Sequence, residues 1–315
     1  MRESLLAAGA LRDRLGELVR RRRLGAAGEA MAGSVATGEA AEPPPRPRRR
    51  ERPGEEVGVE EFLPGGEWRG ERGAVWVHER LRSELERPSP AWGRLEEPPE
   101  EETDLVALRA IGLERALFLD LETGGLASSP VFLAGTMHWN GSDFVLRQYF
   151  ARHYGEEAAL LGALGLAARG FEMLVTFNGK SYDAPFLRGR ALVHGMPIAL
   201  PVHHLDLLHA ARRRFRDRLP DCRLQTLELH VCRRRRAGDV PGDEVPGLYH
   251  DYVRHGDPWR LVPVFHHNLM DVVTMAELLR RLCAPRGPSE PAPSRDAERP
   301  AAPAHPAIPG LFDAL

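Results

Sequence analysis

Residues 116–126 read ALFLDLETGGL. The run Ala116-Leu117-Phe118-Leu119 is apolar throughout, as expected of a buried strand. It ends in Asp120 and Glu122, two carboxylates one residue apart. Alternation along a strand sets positions i and i+2 on one face. Both acids therefore point the same way, close together and beside an apolar core. They repel each other, and each is costly to desolvate. Such a pair needs compensation, and a divalent cation is the simplest source of it.

The rest of the chain supplies a fold for that strand. Strands are predicted over 115–121, PVFLAGTMHW and DFVLRQYFA, the last two separated by the turn NGSD, and over EMLVTFNG. Helices are predicted over 156–169, 182–194, 206–216, 224–231, 247–254 and 258–282, with Ser181 as N-cap of the second. Three antiparallel strands, a helix, a strand and then helices predict an α/β fold, a mixed sheet flanked by helices. This core runs over 105–283.

Outside it the composition changes. Of the 27 Pro, 17 fall in the first hundred residues and the last thirty. Leu5, Leu11, Leu15, Leu18 and Val19 form a helical stripe, which predicts an amphipathic helix over 1–24. Residues 25–56 lack apolar periodicity and read as a disordered linker. Over 57–104, Phe62, Trp68, Val75, Trp76 and Val77 predict a short strand or hairpin, followed by the acidic linker EEPPEEETD. Residues 284–315 read as a disordered Pro-rich tail.

Several function classes are disfavoured. The formal net charge of −2 gives no global signal for a polyanion. Of the 43 basic residues only Lys180 is a lysine, so runs such as Arg212–Arg214 and Arg233–Arg236 reflect codon bias as well as any phosphate path. Cys222, Cys232 and Cys283 show no CxxC spacing, which argues against a zinc site or a disulfide framework. No signal peptide and no membrane span are read, so a cytoplasmic protein with no membrane partner is expected.

Two further segments carry acids in unusual places. In TFNGKSYDAPFL, Asp183 follows a strand in the first turn of a helix. In HHNLMDVVTMAELL, His267 and Asp271 are four apart and share a helix face. Taken singly, each has an ordinary explanation, as dipole compensation or a surface pair. Together with Asp120 and Glu122, in this order, they form a constellation.

DLETGGL, FNGKSYDAPFL and HNLMD resemble the DEDD (DnaQ-like) 3′–5′ exonuclease superfamily, which has the ribonuclease H-like fold. Within it, the closer similarity is to the YprB-type ribonuclease H-like domain, through FNGKSYDAPFL, HLDLLHAARR, CRLQTLE and DVPGDEVPGLYHDYVRHGD as well. One departure is Gly124, where the family commonly has a second Thr. The resemblance implies that Asp120, Glu122, Asp183 and Asp271 bind two Mg²⁺ or Mn²⁺ ions, with His267 or His266 as base. It implies a nucleic-acid partner, DNA or RNA; protein partners are unknown. Thr123, Asn178 and Lys180, in the same motifs, are assigned to substrate contact, with a simple strand-ending turn as the other reading of Asn178. Tyr182 and Phe186 are read as core, with a stacking role as the other choice. Asp206 is read as a helix cap or as a support for the site.

The two histidines are separable by geometry. A spacing of four brings His267 over Asp271, whereas five rotates His266 about 140° away on a regular helix. His267 is therefore expected to be the base. The expected activity is a two-metal 3′–5′ exonuclease on single-stranded or frayed ends. The alternatives are a catalytically silent nucleic-acid-binding module, whose signature would be a missing carboxylate, and an endonuclease on the same fold.

Overall fold

The computed structural model describes residues 58–125, 128–236 and 239–285. The helix expected over 1–24, the linker over 25–56 and the tail beyond residue 285 lie outside the described residues. Among the described residues, no helix is long and apolar enough to cross a membrane.

The chain builds one sheet of seven strands among the described residues: β1 (Gly66–Gly70), β2 (Gly73–Leu81), β3 (Ala116–Thr123), β4 (Val131–Trp139), β5 (Phe144–Phe150), β6 (Met173–Thr176) and β7 (His203–Asp206). Their order is β1-β2-β5-β4-β3-β6-β7. The pairs from β1 through β3 are antiparallel, whereas β3–β6 and β6–β7 are parallel. This is the ribonuclease H-like mixed sheet. The hairpin expected over 57–104 is continuous with it, because β2 pairs with β5 from Trp76↔Phe150 to Leu81↔Val145.

Helices cover both faces. They are α1 (Thr103–Ile111), α2 (Glu157–Ala168), α3 (Asp183–Val193), α4 (Leu207–Phe215), α5 (Leu224–His230), α6 (Val245–His255) and α7 (Val262–Cys283), the last preceded by a 3₁₀ turn, Pro258–Leu261. Strand β3 shows why two layers are needed. Ala116 and Phe118 enter an apolar cluster with α1, α4, α5 and α7. Leu119 and Leu121, pointing the other way, enter a second cluster with α2, α3 and α6. Asp120 and Glu122 alternate in phase with Ala116 and Phe118, so they face α7.

Two elements differ from expectation. Helix α1 begins at Thr103, inside the stretch read as acidic linker, and spans the boundary drawn at residue 105. Its apolar stripe, Leu105 and Leu108, is buried and follows so closely on the acidic run that composition masks it. Strand β7, HHLD, was not anticipated. Four residues with two histidines carry no alternation, and the strand exists because it pairs with β6 from Met173↔His203 to Thr176↔Asp206.

Candidate active site

The site forms where β3, the start of α3 and the first half of α7 meet. Asp120 pairs across the sheet with Gly135 of β4, and a register shift falls between Glu122 and Thr123. Such irregularities re-aim side chains at a strand end. From α7, Asn268 donates Nδ2–H to Asp120 Oδ2 at 2.9 Å and to the Asp120 carbonyl at 3.3 Å. Gln148 of β5 holds Asn268 in turn, donating to its Oδ1 at 3.1 Å and to the Phe265 carbonyl at 2.8 Å. Glycine at 135 permits this approach, because a Cβ there would stand 2.3 Å from Asn268 Oδ1.

Asp183 is the first residue of α3 and is buried. The turn that delivers it runs through Asn178, whose φ is 65°; Asn tolerates this left-handed conformation better than most residues. Ser181 and Tyr182 donate their backbone N–H groups to the Asn178 carbonyl at 3.2 and 3.1 Å. Tyr182, not Ser181, precedes the helix, and no side chain caps it; the Ala184 N–H that a Ser181 cap would serve donates instead to the Gly179 carbonyl at 3.0 Å. Asp206 supports this turn from β7. Its carboxylate accepts from Asn178 N at 2.8 Å, from Lys180 N at 3.0 Å and from Leu208 N at 3.1 Å. It therefore both caps α4 and braces the loop that carries Asp183.

On α7, His267 Nε2 stands 3.6 Å from Asp271 Oδ2. Its Nδ1 bonds Asp239 Oδ1 at 2.7 Å, which turns Nε2 toward the acids. Asp271 is also paired with the buried guanidinium of Arg236. His266 faces away from the acids. It lines a cavity of about 270 Å³ on the side of β2, with Phe62, Leu63 and His78.

Charge crowding dominates the electrostatics. Burial pushes Asp120 well up, and the charges of Asp271, Glu122 and Asp183 push it further, against the Asn268 hydrogen bond. Burial raises Glu122 to about 8; His267 opposes, while Asp271 and Asp183 add to the shift. Burial raises Asp183 to about 7, opposed by the backbone N–H groups of Asp183 and Leu121 and reinforced by Asp206 and Asp271. For His267, burial favours the neutral ring. The Asp239 hydrogen bond and the charges of Asp271 and Glu122 outweigh it and raise the ring to about 9.

These shifts fix the sign of a pH effect. A carboxylate raised in the folded state holds a proton that the unfolded chain has released, so stability falls as pH rises toward the folded value. His267 acts the same way at the top of the range, because its stabilisation is lost as pH rises through about 9. Below about pH 6.5 the histidines lowered by burial, His78, His138, His204 and His266, work in the opposite direction. Melting in EDTA is thus expected to drop between about pH 7 and about pH 8.5, and Mn²⁺ is expected to restore it. A flat or rising melting temperature across that window would contradict the crowding.

Thr123 Oγ1 lies 3.2 Å from the Tyr182 hydroxyl. Tyr182 is 44% exposed and stacks on Phe186 with centroids 5.6 Å apart, so it is a surface ring at the site's edge and not core. Asn178 is exposed, with its backbone committed to the turn. Lys180 Nζ bonds Asp104 of α1 at 3.0 Å. Gly124 donates N–H to the Pro130 carbonyl at 2.9 Å; a Cβ there would meet His250 Cε1 at 3.2 Å, and His250 Nε2 bonds the Gly124 carbonyl at 2.8 Å. The arginine runs are partly structural. Arg213 holds Glu102, Arg214 caps the end of α7 at the Leu282 and Ala284 carbonyls, and Arg234 and Arg236 hold Glu86 and Glu228.

Sequence reasoning missed Gln148, Asn268, Asp239, Arg236 and Glu228. Asn268 sat inside the quoted HHNLMD, and its place one turn-neighbour from His267 was the available signal. Glu228 ended CRLQTLE, Asp239 opened DVPGDEVPGLYHDYVRHGD and Arg236 closed the Arg233–Arg236 run, yet none was given a part in the site; nothing local marked Gln148.

The donor chemistry fits a hard divalent cation: four carboxylates, pressed together and short of positive charge. As the side chains stand, no group of three or more His, Cys, Asp or Glu among the described residues is arranged to hold a metal ion. Asn268 engages Asp120, and Arg236 engages Asp271.

Residues 117–283 match the RNase_H superfamily. The chain is similar to the YprB protein of Bacillus subtilis (strain 168), 34% identical over 166 residues, which are 51% of this chain and 40% of YprB. It thus spans well under two thirds of that relative. Among solved structures, it is similar to the family B DNA polymerase of the hyperthermophilic archaeon Pyrobaculum calidifontis, with 17% identity and a TM-score of 0.44 over 53% of this chain and 24% of the polymerase. On the seven-stranded mixed sheet and the match from β3 to the end of α7, the chain belongs to the RNase_H superfamily.

Proposed function

We propose that this protein is a metal-dependent nuclease, a 3′–5′ exonuclease on single-stranded or frayed DNA or RNA. The observation that carries the reading is the convergence of Asp120 and Glu122 from β3, Asp183 from α3 and Asp271 from α7, with His267 beside them. Held by those four carboxylates, two Mg²⁺ or Mn²⁺ ions would activate a water and neutralise charge on the phosphate.

The chain's own residues do the remaining work. Asn268 and Gln148 fix the rotamer of Asp120. Asp206 holds the turn that positions Asp183. Asp239, on Nδ1 of His267, fixes the ring so that Nε2 takes the proton of the attacking water. Thr123 and the exposed Tyr182 form the rim where a terminal nucleotide rests, its base on the ring.

End-labelled single-stranded DNA and RNA, each with Mg²⁺ or Mn²⁺, test the proposal. Stepwise release of nucleotides from the 3′ end is expected, and none in EDTA. Internal cleavage would make the protein an endonuclease. Binding without cleavage, under every metal tried, would make it a silent binding module.

A further inference from the structure

Arg236 is deeply buried in the site and has no part in the chemistry above. Its side chain is 5% exposed and stands among three carboxylates. Nε donates to Glu228, Nη2 forms an ion pair with Asp271 Oδ1 outside hydrogen-bond geometry, and Nη1 stands 3.7 Å from Asp239 Oδ2. On its other side, Asp271 Oδ2 faces His267 Nε2 at 3.6 Å. Both oxygens of Asp271 are therefore engaged by cationic groups of the chain. Asp120, by contrast, is engaged by a neutral amide, Asn268.

We propose that Arg236 is the resident counter-ion of Asp271, a positioning residue that occupies this carboxylate when no divalent ion is bound and yields it when one arrives. The proposal rests on the reading of Asp271 as a metal ligand. Without a cation, four crowded carboxylates repel one another, and a guanidinium on the fourth offsets part of that repulsion. The same guanidinium excludes a metal ion from the oxygen it holds. Its other two partners make the exchange feasible. When Nη2 leaves Asp271, Glu228 and Asp239 still pair the charge, so no bare guanidinium is left buried. Arg236 thereby sets the metal affinity of the site by direct competition.

The test uses the full chain without nucleic acid, so its readout is independent of turnover. Mn²⁺ binding is measured by calorimetry, and melting is followed in EDTA and in Mn²⁺, for wild type, Arg236→Gln and Arg236→Lys. Arg236→Gln is expected to melt lower in EDTA yet bind Mn²⁺ about tenfold more tightly, so that its melting rises more on adding the ion. Arg236→Lys keeps the charge, but a point-charge ammonium cannot span Glu228 and Asp271 at once. It is expected to bind Mn²⁺ more tightly than wild type as well, by a smaller factor. It also carries the test if the Gln variant does not fold.

A merely structural pin predicts something else: equal losses of melting temperature in EDTA and Mn²⁺, with Mn²⁺ affinity unchanged or weaker. That outcome would overturn the proposal. Tighter binding in Arg236→Gln with wild-type affinity in Arg236→Lys would show only a field effect, and would overturn direct occupation of Asp271. If wild type takes up no Mn²⁺, the metal reading of the site fails, and this inference fails with it. If wild type binds and neither variant binds more tightly, only the role of Arg236 fails.

Discussion

Asp120→Asn is expected to remove phosphodiester cleavage below detection while the chain stays folded. The substitution keeps the side chain's size and leaves an oxygen to accept from Asn268, the bond now made at 2.9 Å. What it removes is the charge, and a hard cation loses an anionic ligand. The same change relieves repulsion with Glu122, Asp183 and Asp271, so the variant should melt at or above wild type in EDTA at pH 8. Activity and stability are thus predicted to move in opposite directions, which separates a ligand from a structural residue. Initial rates on end-labelled oligonucleotides, with melting curves on the same samples, provide the check. Retained cleavage in this variant, or in EDTA, would eliminate the two-metal reading.

His267→Ala is expected to lower turnover by roughly 10²–10⁴-fold, the usual contribution of a general base, and His266→Ala by far less. The geometry separates them: His267 stands against Asp271 and Asp239, while His266 borders the cavity behind α7. A base must be neutral, yet the crowded acids hold His267 protonated up to about 9. Cleavage by wild type should therefore climb as pH rises through neutrality, less steeply where divalent ions offset the acids' charge. The His267→Ala rate should be flat over the same range. Rate–pH profiles of both variants at saturating Mn²⁺ measure this. The reverse order, with His266→Ala the more damaged, would remove His267 from the role of base.

Much of the architecture was readable from local pattern. The apolar run before Asp120 identified β3, and alternation put Asp120 and Glu122 on one face. The spacing of His267 and Asp271 put them on one side of a helix, and that helix is regular from Val262 onward. Where local pattern was weak, reading failed. Helix α1 was hidden behind an acidic run, and β7 has no alternation to detect. Tyr182 looked like core because it is aromatic and flanks a helix, yet it ends up 44% exposed at the rim.

By itself, then, the sequence determined most of the elements, the faces of their carboxylates and the order in which acids enter the site. Those are properties of backbone periodicity, which acts over a few residues. Tertiary structure alone decided what each acid touches. Asn268 reaches Asp120 across 148 residues and Gln148 reaches Asn268 across 120, while Arg236 and Asp239 close on α7 from a loop. No periodicity encodes such pairings. They arise because desolvated charges must find partners wherever the packed sheet and helices bring donors near.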